Sequence, residues 1–452
     1  MLPIRALSSA AIWSVDTTFR PVTRPLGFTR VISAAILAGL LSGLGAVGFH
    51  YLADTFGDTL FQWAATNGWL HRLPVVVIVP TVGLLLVGAV LQLVPESRVG
   101  GVREVLEAID HHAGIVPLFR LLNVLLSGLV LAFGGSVGPE GPMVQLGAVA
   151  GSWVGQRFGL TRRNLQTVVR AGAAAGIAAA FRSPAGAVLL TLEVFGARFN
   201  QDLTAIAIAA GIGYVTRTAL LGDAYPFQPS EVMQSVPLAA LLLVVPIMGL
   251  VGAPTGHLFI RMFERFKTVF PTRWPLAANV ALGGFLVGLI GIWFPQVLSA
   301  GYPVILGSIR GGMAVHLFVI LLLLKMLATS ITFGSGAVGG LFAPTLVMGA
   351  LFGGAFGYGV HAVAPHMVPQ PELFVLLGMV VMFGSIVKGY WSGLLMIADM
   401  SGCYHQLLLP GVIAGGISFF VSWELHDRSI FGLAIDPTGT AKSGEPVPVR
   451  GG

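Results

Sequence analysis

The run Gly134-Gly-Ser-Val-Gly-Pro-Glu-Gly-Pro142 has a counterpart in the second half of the chain, Gly334-Ser-Gly-Ala-Val-Gly-Gly-Leu-Phe-Ala-Pro344. Each is a glycine-rich turn that runs into proline and then into an apolar stretch. Proline is tolerated in a helix's first turn, where its missing N–H would have no partner anyway, so each run reads as a turn opening a helix. The glycines leave backbone N–H groups bare at the positive end of that helix, an arrangement that attracts anions. Two such helix starts can converge on one anion without any full positive charge. A site of partial charges binds an ion without trapping it.

The correspondence extends beyond the two runs. With a constant shift of 202, Gly134, Gly138, Pro142, Gly147, Ala148, Gly151 and Gly155 fall on Gly336, Gly340, Pro344, Gly349, Ala350, Gly353 and Gly357. A shift of 206 carries Gly172 onto Gly378, Val188-Leu189 onto Leu394-Leu395, and Glu193 onto Asp399. Two similar halves point to a repeat-built transporter or channel with its site at the repeat interface near the membrane midplane. The halves are placed at 31–225 and 226–435, after a leader of 1–30 and before a Gly- and Pro-rich tail of 436–452 that is expected to be disordered. No soluble regulatory domain is expected.

Composition names the solvent. Of 452 residues, 55% are hydrophobic and 10% charged, against about a quarter charged in soluble domains. Apolar runs at 31–53, 74–94, 236–248 and 314–332 approach or exceed the roughly 20 residues of a spanning helix. The 61 glycines and 27 prolines then indicate close helix packing and helices broken within the bilayer. The Gly147/Gly151/Gly155 spacing and its echo at Gly349/Gly353/Gly357 are assigned to packing.

Several classes are set aside. The leader carries Arg5, Arg20, Arg24 and Arg30 against Asp16, which places it in the cytoplasm, and it shows no cleavable secretory signal. The net charge of +6 comes without a Lys/Arg block, so nucleic acid is not expected as a partner. Cys403 stands alone, and the ten histidines show no metal spacing; no cofactor is expected. Ser136 lies in a glycine-rich turn, but an intramembrane hydrolase would need a base beside it, and that reading stays a distant alternative.

Glu140 is the functional residue of the first run, where the repeat has Phe342. A carboxylate at an anion-seeking helix start is a tethered competitor for the ion, and an ionisable residue within a membrane is a functional candidate by default. For Glu193 and Asp399 the sober reading is hydrogen bonding to nearby helix ends. Lys325, inside an apolar run, either draws anions toward the path or pairs with a carboxylate or carbonyl. Arg103, Arg170, Arg182 and Lys388 border apolar runs and are read as snorkelling to an interface.

These residues resemble the CLC chloride channels and chloride/proton exchangers, with Gly138-Pro139-Glu140-Gly141-Pro142 and Gly340-Leu341-Phe342-Ala343-Pro344 as the matching hallmarks. Gly100-Gly101-Val102-Arg103-Glu104, Ala178-Ala-Ala-Phe-Arg-Ser-Pro184 and Tyr404-His-Gln-Leu-Leu-Leu-Pro410 support the match. The resemblance implies an all-α integral membrane protein of two inverted repeats with tilted and broken helices, in the cell membrane, assembled as a homodimer with one anion path per subunit. It makes Glu140 the gate and implies anion contacts from Gly100, Gly101, Val102, Gly138, Gly141, Gly340, Leu341, Phe342, Ala343 and Phe431. Gly100 stands where the family commonly has a serine, and Phe431 where it usually has a tyrosine, so the anion is expected to rest on backbone. Proton-coupled members often carry an intracellular glutamate one position after Glu193; here Val194 stands there. The expectation is anion transport, chloride foremost, passive or weakly proton-coupled, with strict chloride/proton exchange through a route involving Glu193 as the alternative.

Overall fold

The computed structural model describes residues 27–55, 57, 72–197, 202–222, 226–227, 236–311, 313–426 and 429–430. Most of the leader, the tail and Phe431 lie outside them. Among the described residues the regular structure is helical, in sixteen α-helices of nine residues or more. The first eight are α1 (Gly27–His50), α2 (Arg72–Leu93), α3 (Val102–Asp110), α4 (Leu121–Ala132), α5 (Glu140–Arg157), α6 (Arg162–Phe181), α7 (Pro184–Val194) and α8 (Leu203–Leu221). The second eight are α9 (Val244–Phe266), α10 (Leu276–Trp293), α11 (Tyr302–Arg310), α12 (Val315–Gly334), α13 (Phe342–Val363), α14 (Glu372–Val387), α15 (Tyr390–Ser401) and α16 (Tyr404–Leu425). Eight helices among the described residues are long and apolar enough to cross a membrane. Others, such as the 11-residue α7 and the 9-residue α3, are too short to span.

The two sets correspond member by member, and counterparts meet across a local two-fold relation. Gly138 and Gly340 form an isolated antiparallel bridge: Gly138 N–H donates to Gly340 O at 2.7 Å and Gly340 N–H to Gly138 O at 2.8 Å. Equivalent residues exchanging equivalent bonds in opposite directions means that the halves run in opposite senses, as inverted repeats do. The same relation joins α2 to α10, where Gly284 approaches Pro80 O and Gly288 approaches Val76 O.

Packing within each half repeats as well. A Cβ on Gly147 would stand 2.0 Å from Gly172 O, and one on Gly353 would stand 2.0 Å from Phe374 O. These helix pairs, α5 on α6 and α13 on α14, are thus as close as backbones allow, which is how membrane helices gain contact without a hydrophobic driving force. The glycine spacing read as packing in the sequence does pack. Gly147→Ala should push α5 off α6 and destabilise the protein by about 1–3 kcal/mol, as overpacking does in tight cores. Thermal unfolding in detergent checks this, and an unchanged midpoint would mean that glycine does not set the helix spacing.

Candidate anion site

The site grows from the Gly138–Gly340 bridge. Immediately after it α5 starts at Glu140 and α13 at Phe342, so both helices present their first-turn amides beside the bridge. Such amides have no intrahelical acceptor. Glu140 is fully buried, and its Oε2 accepts from Ala343 N–H at 3.2 Å. The carboxylate of one half therefore sits on the helix start of the other, where the helix dipole favours negative charge. Its second oxygen, Oε1, accepts from the Tyr302 hydroxyl at 2.6 Å.

Cavities approach this turn from two directions. One, of about 160 Å³, is lined by Gly100, Gly101, Val102, Asn123, Gly141, Gly339, Gly340 and Leu341, with Arg98 and Arg103. The other, of about 190 Å³, is lined by Pro139, Met143, Tyr302 and Phe227, with His50, Arg182 and Arg217. The second cavity lies beside His50, at the end of α1, and the first beside Arg98, past the end of α2; the cytoplasmic leader expected from its arginines would make the first cavity inner and the second outer. Glu140 lies between Pro139 on the outer side and Gly141 on the inner. Arginines line both approaches, and a cleft lined by one sign of charge concentrates ions of the other.

The expected contact residues gather here with different assignments. Gly100, Gly101, Val102, Gly141, Gly340 and Leu341 line the inner cavity. The N–H groups of Gly138 and Gly340 are engaged by each other, and that of Gly101 donates to Gln145 Oε1 at 2.8 Å. Ala343 N–H is turned to Glu140. Phe342 is fully buried, its ring against Phe181 at 6.0 Å and Phe383 at 5.3 Å. Two residues outside the sequence reading also belong to the site. Tyr302 is one. Asn123 is the other: a Cβ on Gly100 would fall 2.1 Å from its Oδ1, so its amide fills the room that a side chain at position 100 would need, anchored by Nδ2 donating to Ser97 O at 2.6 Å. Arg120 pairs with Glu104 at 3.0 Å.

The remaining charged residues hold the frame. Glu193 accepts from the N–H groups of Trp391 and Ser392, both at 3.0 Å, and from Ser392 Oγ at 2.6 Å, which caps α15. Asp399 accepts from Ser183 Oγ at 2.6 Å, from Gly186 N–H at 3.4 Å and from the Tyr404 hydroxyl, which caps α7. Each of this antiparallel pair ends in the carboxylate that caps the other, and Val194 is the last residue of α7. Lys325 Nζ donates to Val297 O at 3.0 Å and Ser299 O at 2.8 Å, so it pairs with carbonyls. Arg170 and Lys388 do more than snorkel: Arg170 donates to Phe195 O at 2.9 Å and Lys388 to Ser422 Oγ at 2.6 Å. Ser136 shares a hydrogen bond with Thr329 at 3.0 Å, with hydroxyls rather than a base beside it.

Inverted helical halves that meet at two glycine-rich helix starts, with a carboxylate lodged between them, define a membrane transporter or channel for anions. The chain belongs to the voltage-gated chloride channel family, whose model matches residues 82–423, and it is a multi-pass protein of the cell membrane. It is 33% identical to a putative chloride channel protein ClcB-like of Ralstonia nicotianae, over 81% of this chain and 86% of that one. It is 31% identical to the H+/Cl− exchange transporter ClcA of Vibrio vulnificus, over 85% and 84%. Among solved structures, a slow cyanobacterial Cl−/H+ antiporter superposes with a TM-score of 0.83 at 22% identity, covering 90% of this chain and 97% of that one. A CLC-type fluoride/proton antiporter superposes with 0.75 at 22% identity, covering 91% and 99%. These likenesses bear out the all-helical CLC fold.

Removing either reciprocal cap should cost stability. Glu193→Ala is expected to lose about 1 kcal/mol and Asp399→Ala about 2 kcal/mol, in the range of helix N-cap deletions, the buried cap being the costlier. Unfolding midpoints of the two variants check the order, and a larger loss from the exposed Glu193 would contradict it.

Proposed function

We propose that the chain carries small inorganic anions, chloride first among them, across the membrane along one path per subunit of a homodimer, with Glu140 as the gate. The observation that carries this reading is the Glu140 carboxylate on Ala343 N–H, a tethered anion in the position a free one would take. While ionised and seated it blocks the path. Protonation removes its charge and its claim on the helix start, and the carboxyl then yields to an anion. The anion is held by amide dipoles and passes between the arginine-lined cavities, with modest selectivity because dehydration dominates over specific contacts. The homodimer rests on the family resemblance. The relatives described as transporters and exchangers support a role in transport rather than catalysis.

Coupling to protons is the second reading, and the exchangers among the relatives favour it. Against it, Val194 cannot carry a proton, and both oxygens of Glu193 cap α15. We therefore hold coupling to be weak. The reversal potential for chloride in proteoliposomes, at a fixed chloride gradient and varied proton gradient, separates the two: independence of pH marks a passive conduit, and a regular shift with pH marks exchange and overturns weak coupling.

The gate has its own test. Glu140→Ala should raise chloride efflux at pH 7.5 about tenfold, equivalent to ~1.4 kcal/mol of competition removed, and should leave it flat with pH. The wild type should accelerate in acid, because protonation neutralises the blocking charge. Wild-type pH dependence in Glu140→Ala would remove Glu140 from the gate.

A further inference from the structure

The transport reading uses Ala343 and leaves Tyr302 without a task. Tyr302 opens α11, the counterpart of α3 in the other half. Gly301, at φ +85°, precedes Tyr302 as Gly101, at φ +68°, precedes Val102. The two-fold relation thus brings α3 to the path from the inner side and α11 from the outer. Where α3 offers an aliphatic chain, α11 offers a phenol, and its hydroxyl donates to Glu140 Oε1 at 2.6 Å.

The start of α11 is held in place independently of that bond. Buried Lys325 donates from Nζ to the carbonyls of Val297 and Ser299, fixing the loop that leads to Gly301. Ser299 ties the same loop to its neighbours: its N–H donates to Gly134 O at 3.2 Å and its Oγ to Leu131 O at 2.9 Å. Gly134 opens the turn that carries Glu140, so phenol and carboxylate are referenced to one piece of backbone. The Phe227 ring lies 5.8 Å from the Tyr302 ring, centroid to centroid, and braces it from the outer cavity. Packing alone would be served equally by phenylalanine. The hydroxyl is the part that packing does not explain, and a hydrogen bond to an ionised acceptor away from water is of the strong kind.

We propose that Tyr302 is a latch on the Glu140 gate: its hydroxyl, placed by the Lys325-held loop, holds the carboxylate in the anion path and so sets how readily the gate opens. Lys325 is a positioning residue in this arrangement. It acts on the path through the loop and Tyr302. The latch rests on the reading of Glu140 as the gate, and a pair of backgrounds separates the two claims.

The experiment is chloride efflux from proteoliposomes holding the full chain, at pH 7.5, for wild type, Tyr302→Phe, Glu140→Ala and the double variant. Tyr302→Phe should raise efflux about threefold to tenfold, as loss of one charge-assisted bond predicts. In the Glu140→Ala background the same change should alter efflux by less than about twofold, since the two residues act as one unit. A rise in Glu140→Ala with none in Tyr302→Phe overturns the latch and keeps the gate. An equal rise in both backgrounds makes Tyr302 a packing residue and overturns the latch. No rise in Glu140→Ala overturns the gate and the latch with it. If Tyr302→Phe does not fold, 3-fluorotyrosine at position 302 keeps the shape and strengthens the donor. Measured at pH 6, where its phenol stays protonated, it should slow efflux below wild type; unchanged or faster efflux overturns the latch.

Discussion

Gly138 and Gly340 donate to each other's carbonyl oxygens, and in a bilayer that exchange decides where the rest of the site can stand. Backbone outside a helix must find partners at membrane depth, because no water is there to supply them. The two non-helical turns meet that demand by pairing with one another. A side chain on Gly340 would prevent it, since its Cβ would fall 2.7 Å from Gly138 O, and a Cβ on Gly138 would fall 2.1 Å from Glu140 Oε2. Once the turns are paired, α5 and α13 must start beside each other, and two positive helix ends share one small region.

That region is unfavourable when empty of negative charge, and Glu140 supplies it. The carboxylate faces the dipole of α13 and the phenol of Tyr302. Burial of a lone carboxylate is costly, and these donors offset the cost without adding a full counter-charge. On the proposed reading, the gate is held firmly enough to close the path and loosely enough for an anion or a proton to displace it. The same economy governs α7 and α15, where Glu193 and Asp399 satisfy each other's helix starts.

The turns, the repeat and Glu140 were legible in the sequence because glycine, proline and a membrane carboxylate each answer a backbone or electrostatic demand with few other solutions. The inverted sense of the halves came only with the family resemblance, since crossings cannot be counted from residues alone where helices are as short as α3 and α7. Tyr302 and Asn123 were missed for a related reason. A shift of 200 does carry Gly101-Val102 onto Gly301-Tyr302, but one matching glycine is a thin signal, and what an isolated tyrosine reaches depends on the loop before it. Lys325 was open between attracting anions and pairing with carbonyls until its partners, Val297 and Ser299, were placed. Arg170, read as snorkelling, instead reaches Phe195 O and Asp202, partners that sequence distance conceals.

The central claim is that Glu140 occupies an anion's place, and bromide in the crystal tests it most directly. In crystals of the wild type and of Glu140→Ala, soaked in bromide at pH 7.5, the anomalous signal should appear within hydrogen-bonding distance of Ala343 N–H in the variant alone. A bromide beside Ala343 in the wild type with Glu140 still seated, or none there in Glu140→Ala, would contradict the account.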